Sequence, residues 1–454
     1  IRFAFNVPGE NKQETQDFAI KADWTWGEVD VTALVSYNNL EEYLLSDGTS
    51  ATFYGYELTP ACQNDRLTLN NLPTELGGAG RDDLFGPLGA PFVVLPPSGG
   101  GPTDFQGVYG PYTPTACDGY QYQERNQEDM GFELRLASPQ DQALRWIAGV
   151  YAAQIERDVV VGYGADQGQG FLRQPYVPPS GPNPTDLLFD DTFDTDVIAV
   201  FGEIAYDFFD TLEVALAVRY DEEDRKVSNN VPNVSASGLN INTLNPATGE
   251  PGPINPALAA NPDGIPDRSR SCEQFQPKLT VRWSATENLT VFGSYGIGFR
   301  SGGFNNLGTS DLLSFWFNAA DPTAPVCPDP PGNPARFAAP GECVNAQLVI
   351  NDEYDKEVSN ALEFGIKTNW LDNTLQVNAS IFRTDVEDNQ FFEFFAGPFG
   401  IQRVVTTIDE MYIQGFEVDF NWLMTDYLSV YGGVGLLDSE IEKNTNRPLS
   451  VGNE

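Results

Sequence analysis

Hydrophobic and polar residues alternate along this chain in long runs, and the runs come in pairs. In Gln276-Pro-Lys-Leu-Thr-Val-Arg-Trp-Ser284, one face carries Pro277, Leu279, Val281 and Trp283, and the other carries Gln276, Lys278, Thr280 and Arg282. After a turn at Ala285-Thr-Glu-Asn288, the next stretch puts Leu289, Val291, Tyr295, Ile297 and Phe299 on one side. A period of two over about ten residues is a strand with one apolar and one polar face. The pattern recurs at 211–226 (Leu212, Val214, Leu216, Val218 and Tyr220 against Glu213, Arg219 and Asp221) and at 355–370 (Leu362, Phe364, Ile366). It recurs again at 373–394 (Leu375, Val377, Ala379, Ile381) and at 403–422 (Phe416, Val418, Phe420).

About thirteen strands are predicted. A short one at 1–7 precedes the pairs 14–26 with 28–45, 127–137 with 142–160, 195–207 with 211–226, 273–285 with 288–300, 355–370 with 373–394, and 403–422 with 427–441. The turns within pairs are short. The segments 46–126, 161–194, 227–272 and 301–353 are rich in Gly, Pro and Asn and are predicted to be long loops without regular structure. Tight turns would thus alternate strictly with long loops, as they do in a transmembrane antiparallel β-barrel with long extracellular loops. Alternation alone also fits a soluble sandwich, which would bury the apolar face against a second sheet. Strand length favours the barrel, because globular strands usually have about five or six residues. Trp24, Trp26, Trp283, Trp370 and Trp422 lie close to the short turns. Membrane interfaces favour indoles there, with the ring in apolar surroundings and the N–H in water. The alternative is that large aromatics simply end strands.

The 454 residues include 25 basic and 65 acidic side chains, a net −40, and no histidine. Nucleic acid is excluded as a partner, since its binding needs Lys and Arg to displace counterions. A saline habitat explains the acidity as well as a cation partner would. Without histidine, Ser-His-Asp and Cys-His catalysis are excluded, and haem capture is disfavoured. Acidic runs at Asp190-Asp191 and Asp221-Glu-Glu-Asp224 read as solvated charge at strand ends, so no enzyme is expected. No stretch approaches the ~20 apolar residues of a membrane helix, which does not count against a barrel.

The five cysteines, Cys62, Cys117, Cys272, Cys327 and Cys343, are assigned to the long polar segments. That suits disulfides in an oxidising compartment. Cys62 with Cys117 and Cys327 with Cys343 are candidate pairs that leave Cys272 over; connectivity stays open. Candidate ligand-binding aromatics lie in the loops: Tyr109, Tyr112, Tyr120 and Tyr122 in one, Phe315, Trp316 and Phe317 in another. Aromatics on loops held by a rigid scaffold commonly bind ligands; tyrosines packing a loop on itself are the alternative. Asn261, Asp263 and Asp267 could offer oxygens to Ca²⁺, with Gly264 allowing the turn. The segment falls short of a full calcium loop, and an ordinary Pro-Asp-Gly turn is the favoured reading of those residues.

Several ordered motifs resemble TonB-dependent outer-membrane receptors. They are Phe201-Gly-Glu-Ile-Ala-Tyr206, Phe275-Gln-Pro-Lys-Leu279 leading to Tyr295-Gly-Ile-Gly-Phe-Arg-Ser-Gly-Gly-Phe-Asn305, Asn360-Ala-Leu-Glu-Phe-Gly-Ile-Lys367 followed by Ile381-Phe-Arg-Thr-Asp-Val-Glu-Asp-Asn-Gln390, and Gln414-Gly-Phe-Glu-Val418. The resemblance is clear over 195–440 and looser over 14–160. It implies a barrel of about 22 strands around a plugged lumen, set in bacterial outer-membrane lipid. It also implies TonB as a partner through an N-terminal region, and a scarce ligand such as a ferric siderophore bound from outside. Residues 1–454 are then expected to be part of the barrel domain, with the plug and the last strands lying outside this sequence. A passive porin and a secreted β-sandwich adhesin or glycan-binding protein are the rival expectations.

Overall fold

The computed structural model describes residues 9–47, 119–165, 185–231, 255–261, 263–318, 348–397 and 400–445. In chain order the elements are β1 (Glu10–Trp26), β2 (Val29–Asp47), β3 (Gly119–Ala137), β4 (Leu144–Ala165), β5 (Thr185–Phe208), β6 (Leu212–Asn229) and α1 (Pro256–Ala260). Then follow β7 (Arg268–Thr286), β8 (Leu289–Arg300), β9 (Gly303–Phe304), α2 (Thr309–Phe317) and β10 (Glu353–Tyr354). The last are β11 (Glu357–Trp370), β12 (Leu375–Gly397), β13 (Gly400–Thr425) and β14 (Leu428–Lys443). Twelve long strands form one antiparallel sheet in the order β1 to β8, then β11 to β14. The two-residue β9 and β10 pair only with each other. All six predicted pairs are present; the strand expected at 1–7 lies outside the described residues.

The register aligns the apolar positions into rows. Leu216 faces Leu279, which faces Tyr295, which faces Leu362. Phe364 faces Ile381, which faces Phe416, which faces Leu436. These rows are open: Leu216 is 53% exposed, Leu279 43%, Ile381 60% and Leu436 61%. Among the described residues nothing packs over them. The opposite face buries charge instead. Asp221 on β6 is only 3% exposed, and it accepts hydrogen bonds from Arg219 at 2.6 Å and Gln276 at 2.6 Å. A soluble sandwich requires the reverse arrangement. Apolar residues outward and charged residues inward are what a barrel wall in lipid requires.

At the turn end, Trp24, Trp26, Trp283 and Trp370 are exposed and Trp422 is half-buried. Trp146, beside the 138–143 turn, joins them on the outward face of β4 with Leu144 and Val150. The β11–β12 connection is tight because Leu371, Asp372 and Asn373 all take left-handed backbone, at φ 53°, 53° and 66°.

At the other end two expectations are corrected. The loops are not free of regular structure: β3, β4 and β5 run well past the predicted ends, and α1, α2, β9 and β10 lie in the supposed loops. Nor is the alternation strict, because β12 and β13 pair out to Gly397 and Gly400 and close with only residues 398–399 between. Strands of 22 to 26 residues exceed the ~9–11 a bilayer needs, so the wall stands well clear of the apolar band on this side.

Pro277 shapes that rim. It has no N–H to give, and pairing of β7 with β8 begins at Lys278. Beyond this point the two strands part, and the segment around β10 fills the gap. Arg270 donates to the Tyr354 carbonyl at 2.7 Å, and Lys356 donates to the Glu273 carbonyl at 2.7 Å.

Candidate functional site

Most cations on the inner face are already spent on carboxylates. Arg145 binds Asp207 at 2.6 Å and Glu213 at 2.5 Å, and Arg282 joins Glu213 at 3.0 Å. Arg219 holds Asp221 and lies over the rings of Tyr151 and Phe201 at 5.5 and 5.8 Å. These contacts cross β4 to β7 and stiffen the wall.

Above the apolar band the mouth is roofed by helix α2. Leu312, Leu313 and Phe317 are buried against Val159 and Val161 of β4, Phe189 of β5, and Phe395 and Val404 of the β12–β13 hairpin. Phe317 and Phe395 meet edge to face, 5.6 Å between ring centres.

The start of α2 has no side-chain cap of its own, because its N-cap residue is Gly308 at φ 85°. Distant carboxylates serve instead. Asp352 accepts from the Gly308 N–H at 3.1 Å and the Ser310 N–H at 2.8 Å, and Asp191 accepts from the Leu307 N–H at 3.0 Å. Unpaired N–H groups and the positive end of the helix dipole favour carboxylates there. Asp191, on the part of β5 beyond the apolar band, is fully buried. Burial raises its pKa to about 7, against the lowering effect of its bonds from Asn229 and Leu307.

The hairpin tip is tied down separately. Asp388 takes left-handed backbone at φ 51°, and past it the hairpin meets the strap that precedes α2. Asn305 donates to the Val405 carbonyl at 2.9 Å and accepts from the Val405 N–H at 2.8 Å. Asn318 makes the same pair of bonds to Leu348, at 2.9 and 2.7 Å.

Three aromatic residues of the tip stay open, Phe391 at 48% beside the pair Phe392, at 44%, and Phe394, at 64% exposure. The rings of that pair meet edge to face at 5.6 Å, and Arg403 lies 4.2 Å over Phe392. Across the mouth, Arg157 stacks on Phe193 at 5.9 Å. Arg125 faces Val159 and Gln127 faces Arg157 in the β3–β4 register, so Arg125 and Arg157 are diagonal neighbours on one face. Burial, and then repulsion by Arg125 and Arg403, hold the Arg157 pKa below its ordinary value. Arg157 is nevertheless open to water.

The predicted residues fall out as follows. Tyr120 and Tyr122, expected in a loop, lie in β3, and Tyr122 is buried edge to face with Tyr43 at 5.5 Å. Phe315, Trp316 and Phe317 lie on α2 rather than in a loop, with Phe317 facing the core. Tyr109, Tyr112, Cys62, Cys117, Cys327 and Cys343 lie outside the described residues. Cys272 belongs to β7, not to a loop, and is buried with a free thiol. Asn261 caps α1, its side chain donating to the Ala257 carbonyl at 2.9 Å, and Asp267 pairs with Lys226 at 3.2 Å. Among the described residues no three Asp, Glu or Cys side chains converge as a metal ion would require. The arginines and the hairpin aromatics carried no sequence signal, since Arg125, Arg157 and Arg403 are far apart in the chain.

Residues 2–454 match the family described as TonB dependent receptor-like, beta-barrel. A probable TonB-dependent siderophore receptor, PiuA of Acinetobacter baumannii, is 32% identical over 118 residues, 25% of this chain and 14% of that protein. Among solved structures, the ferric yersiniabactin uptake receptor FyuA of Yersinia pestis aligns over 95% of this chain and 43% of its own, with TM-score 0.51 and 11% identity. The siderophore receptor PiuA from Acinetobacter baumannii aligns over 97% of this chain and 49% of its own, with TM-score 0.50 and 13% identity. The chain thus spans less than half the length of these receptors.

Proposed function

This chain belongs to the TonB-dependent receptor family, a family of outer-membrane receptors, and from that premise we propose that the whole protein imports a ferric siderophore. In this reading the inverted wall, with Ile198 and Leu216 outward and Asp221 inward, sits in outer-membrane lipid. The extracellular mouth captures the iron complex. TonB, engaging a region outside this sequence, supplies the work that opens a path through the lumen.

The observation that carries the reading is the family match over nearly the entire chain, joined to a wall that turns apolar side chains outward and buries Asp221 inward. The chemistry is transport: the site holds no acid–base or nucleophilic constellation among the described residues, and its ordered groups are stacking rings and guanidinium forks. A passive pore would need no energy input. Uptake of radioactive iron, supplied as a siderophore complex to cells expressing the full-length receptor, separates the two. Loss of uptake in a strain lacking TonB supports the proposal. Undiminished uptake in that strain, or none in either strain with any ferric siderophore, contradicts it.

A further inference from the structure

The outward face of the wall is unevenly filled. Val281 of β7 faces Gly293 of β8, which faces Phe364 of β11, which faces Ile381 of β12. One row nearer the turns, Trp283 faces Val291, which faces Ile366, then Ala379, then Val418 of β13. Gly293 and Ala379 are the small positions in these two rows of large side chains. Phe364 stands on the strand between them and is 52% exposed. Its ring rests against the bare glycine, where a Cβ would come within 2.9 Å of it.

The wall is hollowed on either side of that ring. A first cleft of about 620 Å³ is lined by Leu212, Leu279, Val281, Trp283, Tyr295 and Leu362, with Gly293 between them. A second, of about 470 Å³, is lined by Ile366, Ala379, Ile381, Phe416 and Val418. Val291 and Phe364 line both, so they form the ridge that the two clefts share.

Depth in the membrane follows from the strand geometry. Trp283 stands beside the short β7–β8 turn and Leu279 lies four residues above it. At about 3.3 Å per residue and a tilt of ~40°, that is roughly 10 Å, against an apolar band about 25 Å tall. Short turns lie on the periplasmic side. The first cleft therefore belongs to the periplasmic half of the band, and Leu212 and Trp283 carry its lower end to the interface.

Chemistry then selects the occupant. Hydrocarbon supplies no hydrophobic force between two apolar protein surfaces, so a protein partner must be held by close packing or by polar bonds. The clefts offer little to bond: the Tyr295 hydroxyl is engaged by Asn360 at 3.3 Å, and the other outward side chains are hydrocarbon apart from the Trp283 indole. An unfilled hollow forfeits dispersion contacts along its lining, and a flexible methylene chain recovers them without moving the wall. We propose that the paired clefts hold the two acyl chains of one phospholipid of the periplasmic leaflet, straddling Phe364, as a fixed ligand of the receptor. Trp283 suits the glycerol end of that lipid, since an indole keeps its ring in apolar surroundings and its N–H among polar groups. A lipid held in this way does not depend on which solute is imported.

Native mass spectrometry of the purified full-length receptor reads the occupancy. The receptor is titrated in detergent with palmitoyl-oleoyl phosphatidylethanolamine, alone and in competition with lipid A. Val281→Phe fills the first cleft and Ala379→Leu the second, while Val200→Phe enlarges an outward residue of β5 that lines neither. A heat-modifiable band on gels confirms that each barrel is folded. The expected result is a first phosphatidylethanolamine bound about tenfold more tightly than the next. That step should vanish in Val281→Phe and in Ala379→Leu, survive in Val200→Phe, and resist lipid A. Lipids adding to the wild type without such a step overturn the proposal. So does a step kept in either cleft variant, or one lost equally in Val200→Phe. Displacement by lipid A assigns the clefts to the outer leaflet, and a dimer that Val281→Phe splits assigns them to a second copy of the chain; either result also overturns it.

Discussion

The side chain of Asn305 pairs with the main chain of Val405 as a neighbouring strand would. It donates to the carbonyl at 2.9 Å and accepts from the N–H at 2.8 Å. The edge of β13 at this point lies beyond the reach of β14, whose pairing ends where Glu410 meets Lys443. One amide therefore closes an edge that backbone would otherwise leave open, and it ties the hairpin tip to the strap below α2.

Asn305→Ala should loosen the tip without unfolding the barrel. Two half-buried backbone groups lose their partners, at a cost of about 1 kcal/mol each. Hydrogen exchange should quicken at Val405 and its neighbours while strand centres such as Val218 stay protected. Asn305→Asp keeps the acceptor and loses the donor, so its effect should be intermediate. Unchanged exchange at Val405 in the alanine variant would show that the pairing does not hold the tip.

The roof should be more secure in acid. Asp191 has a pKa of about 7 in the fold against 3.8 ordinarily, so between those values the folded roof binds more protons than the opened one. Its contribution is full below the ordinary value and is lost as pH rises through about 7. Protease nicking of the strap before α2 should be slower at pH 5 than at pH 8, and Asp191→Asn should flatten the difference. Faster nicking at pH 5 would contradict this sign.

Gly308 is fixed by two demands at once. Its φ of +85° disfavours any side chain, and a Cβ there would come within 2.7 Å of the Ala257 methyl on α1. Gly308→Ala should destabilise the roof by about 1–3 kcal/mol, read as early loss of protection at Leu307 and Ser310 during mild denaturation. Wild-type protection in that variant would refute the constraint.

Neighbouring positions on β7 should respond oppositely to one substitution. Leu279 faces outward and is 43% exposed, while Thr280 faces inward between Lys278 and Arg282. Arginine in place of Leu279 should cost about 2–4 kcal/mol, the penalty for a cation near the lipid midplane. Arginine in place of Thr280 should cost far less, measured by urea unfolding of the full-length receptor in bilayers. Equal losses would remove the distinction between the faces.

What could be read from residues alone follows from where water lies. Strand pairs such as β7 with β8 are legible because lipid on one side and a polar lumen on the other impose a strict period of two. The same strands vanish from view above the band. The stretch Gly119–Asn126 of β3, Gly-Tyr-Gln-Tyr-Gln-Glu-Arg-Asn, continues the ladder, but Tyr122 there packs with Tyr43 and Leu258 rather than against lipid, and the Gly and Pro just before it drew the stretch into a loop. Helix α2 left a fainter trace: Leu312, Leu313 and Phe317 lie on one helical face, yet the nearby Gly and Pro drew the segment into a loop. The arginine cluster left none, because only tertiary folding brings β3, β4 and the β12–β13 hairpin together.

A receptor wall of this kind must touch hydrocarbon with its outward face. The most direct measurement places a nitroxide label in turn at each of residues 213–220 of β6 in the full-length receptor in bilayers, with native cysteines replaced. Collision rates are then read with dissolved oxygen and with a water-soluble nickel chelate. Labels at Val214, Leu216, Val218 and Tyr220 should meet oxygen strongly and the chelate weakly, and those at Glu213, Ala215, Ala217 and Arg219 should do neither in the same way, giving a clear period of two. A flat profile, or one in which Leu216 and Val218 are shielded from oxygen while Arg219 is freely reached by the chelate, would contradict the membrane wall and everything built on it.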